Sequence, residues 1–415
     1  MPLARLPYVQ HRGVERHPGS VLTLAATPDG AILASGGKGL SPPSEYTHLC
    51  AGSQGTRLWN IADMSPLPRP SAAGIRGATL VVIWAFQADE PQDVLYSGTQ
   101  NGYLFCWRQK DQAFEETFVM QMPDPGEITA MAFDSTNNRL CLCSRNDTVQ
   151  SWKIAKDPLT GKWVPTNVFS VKVSRLSPQA ITFAGFDNSQ DRDIIVFGMH
   201  NSGPICTIRG RTGEVTSQWS VGARIGDAAF NWKDGIFCLD DSASGPGLYR
   251  FSDQTKTKTY EIEPARKNKR PKNVRFGDQG SSLICGSDHG CVYVFDTRSG
   301  EELAALSVGT SEWLQVIATT EIDGVSVIFG AQTRALDFSE EIFVWKRAQP
   351  ARKAITGQEK TNFIVKVLVV LGCMAFVYQN VGTKVMELYD VIQGYSATPD
   401  AFAGAGASTK DFTLP

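Results

Sequence analysis

The chain has 415 residues, 42% hydrophobic and 20% charged, with a formal net charge of −2. That is the composition of a globular protein with a sizeable core, and nothing in the charge balance demands a nucleic-acid partner. The nine cysteines are odd in number and irregularly spaced from Cys50 to Cys373. They exclude a regular disulfide framework and argue for reduced thiols in an intracellular protein.

Taken in order, the chain repeats one pattern. A short apolar strand leads through a Gly-containing turn into an alternating strand that closes on an aromatic or large apolar residue. The start, MPLARLPYVQHRG, has no apolar core of signal-peptide length. Copy one runs from His17 to about Asp63, with a Pro28-Asp29-Gly30 turn, a strand at 31–35 and closure at Trp59. Copy two has a strand at 94–98, the turn Gln100-Asn101-Gly102 and closure at Trp107, and copy three has strands at 128–133 and 139–143 and closes at Trp152. Copy four is degenerate, with 181–186, 194–198, a Gly203 turn and closure at Ile208. Copy five has 228–232, 236–239 and 247–251, closing at Phe251. Copy six, SSLICGSDHGCVYVFDTRSGE at 281–301, is the most complete. Gly290 supplies positive φ to its tight turn, and 291–295 alternates with β-branched and aromatic residues before closing at Phe295. Copy seven has 313–318, 325–330 and 342–345, closing at Trp345.

The closing residues lie 43 to 56 apart. Seven copies of about four short strands predict an all-β, seven-bladed β-propeller over 1–348. A β-sandwich with a second domain is the alternative, disfavoured by the regular spacing. An α/β fold is disfavoured because no long helical period precedes residue 355. Cys141 and Cys143, two apart on a strand, share a face and are read as packing residues rather than metal ligands.

With Phe295-Asp296 standing where the family has its Trp-Asp pair, copy six resembles a WD-repeat, and the likeness extends over residues 6–347. The family carries an Asp six residues before the Trp and a His before the first strand. Here those turn positions hold Ser53, Asn101, Asn146 and His289, and His17 fits the His position. No copy has the whole polar set, so apolar packing is expected to hold the blades. The resemblance implies that the N-terminus supplies the outer strand missing after Trp345. Residues 6–10 are the candidate, and their pairing would remove an open sheet edge. It also implies that the loops entering each first strand, and those joining second to third, share one face.

Two unusual segments map to that face. The insertion 38–54 contains Ser41-Pro42-Pro43 and Tyr46, and is read either as a partner contact or as a tolerated insertion. The second segment is RKNKRPKNVR at 266–275, with six basic residues in ten. Arg266, Lys267, Lys269, Arg270 and Lys272 are its candidates for an acidic partner, against a solvated loop or a nuclear-import match. No aromatics interleave with these charges, so sequence-specific nucleic-acid binding is not expected. No catalytic residues, cofactor or metal are assigned. The five histidines form no zinc-ligand pair and stand beside no nucleophile-elbow serine. The Gly-rich pieces read as turns, and Asp240-Asp241 as a solvated turn.

After a polar linker at 349–362 comes FIVKVLVVLGCMAFVYQNV at 363–381. Nineteen helical residues would span about 28 Å, so this segment, with Phe363, Val367, Leu371, Phe376 and Val381 along it, is expected to be a transmembrane helix. Lys346, Arg347, Arg352, Lys353 and Lys360 precede it, and Glu387 and Asp390 follow. The positive-inside rule then keeps the propeller in the cytosol. The tail at 382–415 is expected to be partly disordered. Three readings stay open: a non-catalytic protein-interaction scaffold tail-anchored to an intracellular membrane, a propeller enzyme with its site at the channel mouth, and a soluble nuclear or cytosolic adaptor with the last helix docked on the propeller.

Overall fold

The computed structural model describes residues 8–38 and 55–348, apart from 18, 71–75, 88–89, 112, 186–190, 242–243, 263–270, 310–312 and 333–339. Beyond 348 it describes 365, 366, 368–379, 381, 384, 385 and 389. The chain divides into two compact units, Met1–Ala348 and Gln349–Pro415.

The first unit is a seven-bladed β-propeller whose sheets are antiparallel meanders. Blade 1 comprises Val21–Ala26, Ile32–Gly37 and Arg57–Asn60, and blade 2 runs from Thr79–Gln87 to Ala113–Gln121. Blade 3 runs from Ile128–Asp134 to Trp163–Lys172, and blade 4 from Pro178–Phe183 to Val215–Ser220. Blade 5 runs from Ile225–Asn231 to Lys256–Thr259, and blade 6 from Val274–Gly277 to Glu302–Ser307. Blade 7 takes Leu314–Ile322, Val325–Gln332 and Glu340–Arg347 from one end of the chain and Tyr8–His17 from the other.

That last pairing is antiparallel, with Gln10 opposite Trp345 and His11 opposite Val344. The expected closing strand therefore exists, shifted to 8–17; residues 1–7 lie outside the described residues. The register shifts between His11 and Val14, at Gly13. There a Cβ would run into the carbonyl oxygen of Ile342, so the bulge requires glycine. Val14 is buried with Val316, Phe329, Ile342 and Val344 of blade 7 and with Val21, Leu33 and Trp59 of blade 1.

Among the described residues six blades have four strands and blade 1 has three, where four were expected in each. After Trp59 the chain turns back and makes one bridge, Trp59 to Pro66, through Asn60 N to Ser65 O and Leu67 N to Leu58 O, both at 2.9 Å. Pro66, Pro68 and Pro70 then alternate. Each fixes φ near −65° and biases its predecessor toward polyproline geometry, whose three-residue repeat cannot follow the two-residue ladder. With Leu67 donating inward, the prolines fall on the outward side, where a missing N–H blunts the edge.

The closing residues Trp59, Trp107, Trp152, Ile208, Phe295 and Trp345 are all buried, and Phe251 is partly buried. Polar contacts supplement this packing. Trp59 Nε1 donates to Ser35 Oγ at 2.9 Å, beside the buried His17 ring at 6.3 Å. Arg139 of blade 3, buried and facing Asp134 at 3.6 Å, donates to Gly210 O at 2.8 Å and Arg192 O at 3.2 Å in the next blade. Cys141 and Cys143 pack in an apolar cluster between blades 3 and 4, where burial pushes the Cys141 thiol up to about 12.

The expected transmembrane helix is not found among the described residues of the second unit. Lys366 and Gln379 bound the apolar run 368–378, and no helix among the described residues is long and apolar enough to cross a membrane. Phe363 and Val367 lie outside the described residues, while Leu371, Phe376 and Val381 are exposed.

Deleting residues 1–17 is expected to lower the stability of the whole ring by about 3 kcal/mol or more, because it exposes the Val14 packing and opens a sheet edge. Chemical denaturation followed by tryptophan fluorescence reads this, and an unchanged midpoint would refute closure. Burial also pulls the His17 imidazole down to about 4. The unfolded chain therefore takes up that proton first, and stability present above about pH 6.5 is lost as pH falls toward 4, by up to about 3 kcal/mol. Wild type should lose more stability than His17→Gln between pH 7 and 4.5, and parallel pH profiles would count against it.

Candidate functional site: the mouth of the central channel

The inner strands of all seven blades enclose a cavity of about 470 Å³. Leu22, Val81, Thr129, Gln179, Gly226 and Gln315, at or next to the starts of six of these strands, lie in its wall. Among the described lining residues only Asp227 and Arg275 are charged. The other described polar groups there are neutral threonine, asparagine and glutamine side chains.

Two buried carboxylates fasten this part of the wall. Asp227, near the start of the inner strand of blade 5, accepts from Asn273 Nδ2 at 2.9 Å, Val274 N at 3.0 Å and Arg275 Nη1 at 2.5 Å. Asp240, fully buried near the end of the next strand, accepts from Lys272 N at 3.0 Å. Its carboxylate occupies the space a side chain at 226 would need: a Cβ on Gly226 would collide with Asp240 Oδ2 and come within 2.9 Å of Pro271 Cα. Asn273 carries the fastening into blade 7. It receives Ile317 N on Oδ1 at 3.1 Å and donates its own N–H to Gln315 O at 2.9 Å. Residues 271–275 thus have fixed hydrogen-bond partners in both neighbouring blades.

This fixed segment leaves the basic loop and enters the channel wall, for Pro271, Asn273 and Arg275 all line the cavity. The other end of the loop leaves from Tyr260, whose N–H donates to Pro246 O at 2.9 Å and whose hydroxyl donates to Thr297 O at 3.0 Å. Burial drives the Tyr260 phenol far above its ordinary value, so it stays protonated and can donate to Thr297 O. The described residues on either side of 263–270 are thus each held by hydrogen bonds, and of these the 271–275 side lines the channel. Arg266, Lys267, Lys269, Arg270 and Tyr46 lie outside the described residues.

Lys272 must be corrected. It is 3% exposed, with its backbone N–H on Asp240, and does not belong to a solvated basic surface. Asp240 and Asp241 are likewise buried and not a solvated turn. They continue the strand Ile236–Asp241, where pairing with Gly245 and Pro246 keeps them inside the blade. Asp241 accepts from Ser244 Oγ and has Lys256 Nζ at 4.0 Å. Sequence reasoning missed Asp227 and Arg275 too. The signal for Asp227 was Gly226-Asp227 directly before an apolar strand, and for Arg275 its alternation with Pro271 and Asn273, which puts all three on one side.

In the turn between the second and third strands of blade 6, His289 sits between two partners, with Nδ1 3.1 Å from Asp288 Oδ1 and Nε2 2.6 Å from Tyr293 Oη. Burial, first of several causes, pushes the Tyr293 phenol up to about 12, which makes it a poor nucleophile or base at neutral pH. Among the described residues no group of three His, Cys, Asp or Glu is placed to hold a metal ion.

Gly226→Ala is expected to cost about 1–3 kcal/mol of stability by forcing the Asp240 carboxylate away. In Gly226→Ala/Asp240→Ala the two losses should be less than additive, because the colliding group is gone. Denaturant midpoints for the four proteins of this cycle decide it, and simple additivity would contradict the contact. No family model matches the chain and no curated protein matches it, so the architecture stands on the strand pairing itself.

Proposed function

We propose that the chain is a non-catalytic protein-interaction scaffold whose binding surface is the face where the channel opens and the basic loop is hung. The observation that carries this reading is the double fastening of residues 271–275 by Asp227 and Asp240, which fixes one end of a strongly basic loop at the rim of a cavity. A loop with fixed ends loses less entropy on binding than a free one, and Arg266, Lys267, Lys269 and Arg270 within it favour an acidic partner. The Trp59–Ser35 bond beside His17, with the seven-blade architecture, supports kinship with the WD-repeat family, many of whose members serve as scaffolds.

The chemistry of the channel favours binding over catalysis at its mouth. Of the two charged lining residues, Asp227 is occupied by three donors, and no histidine is among the described lining residues. All three donors meet Asp227 Oδ2, which makes this carboxylate a structural fastening of the wall.

A second observation favours lipid contact by the tail. Leu368, Val369, Val370, Leu371, Met374, Phe376 and Val377 are each more than half exposed on one helix. They fall on every side of it, whereas a helix that docks on protein presents one apolar stripe. In this reading residues 363–381 attach the scaffold to an intracellular membrane surface, with the propeller in the cytosol.

Affinity capture from cytosol with the full chain tests the main reading. The expected outcome is recovery of a specific acidic protein, lost in a charge-reversed loop (Arg266→Glu, Lys267→Glu, Lys269→Glu, Arg270→Glu) and weakened by raising salt from 50 to 300 mM, on the order of the screening expected for exposed charges. Equal recovery by both proteins would sink it. For the tail, co-flotation of the full chain with phosphatidylcholine vesicles is expected, and Leu371→Glu/Phe376→Glu should abolish it. A full chain that stays at the bottom of the gradient removes lipid contact.

A further inference from the structure

The rim of the channel contains a cation with donors to spare. Arg275 is the one basic residue among the described residues of the cavity wall, and its side chain is 32% exposed. A guanidinium carries five N–H donors. Nη1 uses its two on Asp227 Oδ2 at 2.5 Å and Val274 O at 2.6 Å. Nη2 and Nε make no bond to a described residue. Together they form the guanidinium edge that suits two parallel bonds to one carboxylate.

We infer that the Arg275 guanidinium binds a side-chain carboxylate from an acidic segment of a partner protein, inserted into the channel mouth where residues 271–275 enter its wall. The inference rests on the binding reading above and names its anchoring residue. Asp227 does not need Arg275 alone, since Asn273 Nδ2 and Val274 N also hold its carboxylate. The guanidinium is therefore able to share its charge with a second carboxylate. A dianionic phosphate suits the place less well, because it would meet the Asp227 charge across the same guanidinium. The wall supplies neutral hydrogen-bonding groups at Thr129, Gln179 and Gln315, and the volume of about 470 Å³ is that of a ligand pocket. Within such walls a charge-assisted bond is stronger than on open surface. Arg275 fixes one carboxylate of the entering segment at the channel wall.

The test uses the full chain and fluorescence anisotropy with a fluorescein-labelled dodecapeptide of alternating Glu and Gly. Counterparts replace Glu by Gln or by phosphoserine. Wild type is expected to bind the Glu peptide and not the Gln peptide. Arg275→Gln should weaken binding about tenfold or more, as the loss of a charge-assisted bond does. Arg275→Lys, which keeps the charge without the fork, should fall between. Asp227→Asn should bind more tightly than wild type, because the cation loses its internal counter-ion. A residue that merely holds the fold would give weaker binding in both single variants. Thermal melts establish that each variant is folded. The neutral pair Asp227→Asn/Arg275→Gln removes both charges together and should also lose binding. Three outcomes overturn the inference: Arg275→Gln binding as wild type does, Asp227→Asn weakening as Arg275→Gln does, or the phosphoserine peptide binding more tightly than the Glu peptide. If wild type binds no Glu peptide while capture still recovers a partner that needs the basic loop, the Arg275 site falls and the scaffold stands. If the loop variant also captures its partner normally, the scaffold reading falls by itself.

Discussion

The ladder between Tyr8–His17 and Glu340–Arg347 holds the two ends of the first unit together, and the rest of the ring depends on it. Without it blade 7 would present Glu340–Arg347 as an open edge, and Val14 would leave the cluster shared by blades 1 and 7. Each blade is a small sheet that cannot bury both faces alone, so its stability comes from its neighbours. Closing the ring gives every blade two of them. The bulge at Gly13 lets the strand keep its inward side chains while its backbone passes close to Ile342.

Closure also sets the channel. Seven inner strands fixed around one axis bring short segments from distant parts of the chain into a single wall, and at one point on that wall the fastening is ionic and unusually dense. Asp227 and Asp240 belong to blade 5 yet hold the entry to blade 6, and Asn273 passes the constraint on to blade 7. Burying such charges is costly unless they are fully hydrogen-bonded. Asp227 satisfies this with three donors, two of them neutral. The cost is offset by position: the chain that leaves the basic loop arrives at the rim in one conformation.

Blade 1 departs from its siblings for a local reason. Alternating prolines after Met64 replace the fourth strand by a segment that pairs once and then offers no outward N–H. On the opposite face of the ring from the basic loop, Asp278, Gln279 and Gly280 take left-handed φ of 49°, 55° and 95°, and blade 7 holds them through Glu321 on Gln279 N at 2.6 Å and Arg347 on Asp278 at 2.7 Å. Such conformations persist only where the surroundings over-determine them. Both features are local solutions to joining unequal blades.

The number of blades was legible in the sequence because it is a matter of period. Trp59, Trp107, Trp152, Ile208, Phe251, Phe295 and Trp345 close their strands at intervals a single blade can fill, and apolar alternation near each marks a half-buried strand. The basic loop was legible too, as composition. The charged cluster was not. Asp240 and Asp241 look like a turn in sequence, because local pattern assigns adjacent acids to solvent, and only the pairing of their strand with Gly245 and Pro246 turns them inward. Lys272 reads as one more charge in a basic run, whereas in the fold it is buried and its backbone N–H bonds a residue thirty-two positions away. The tail reads as a membrane span because hydropathy counts apolar residues, whereas no helix among its described residues is long and apolar enough to cross a membrane. Sequence alone determined what repeats along the chain, since periodicity is carried by neighbouring residues. Tertiary structure decided which charges meet at the channel mouth, since that depends on the closure of a ring whose contacts are remote in the chain.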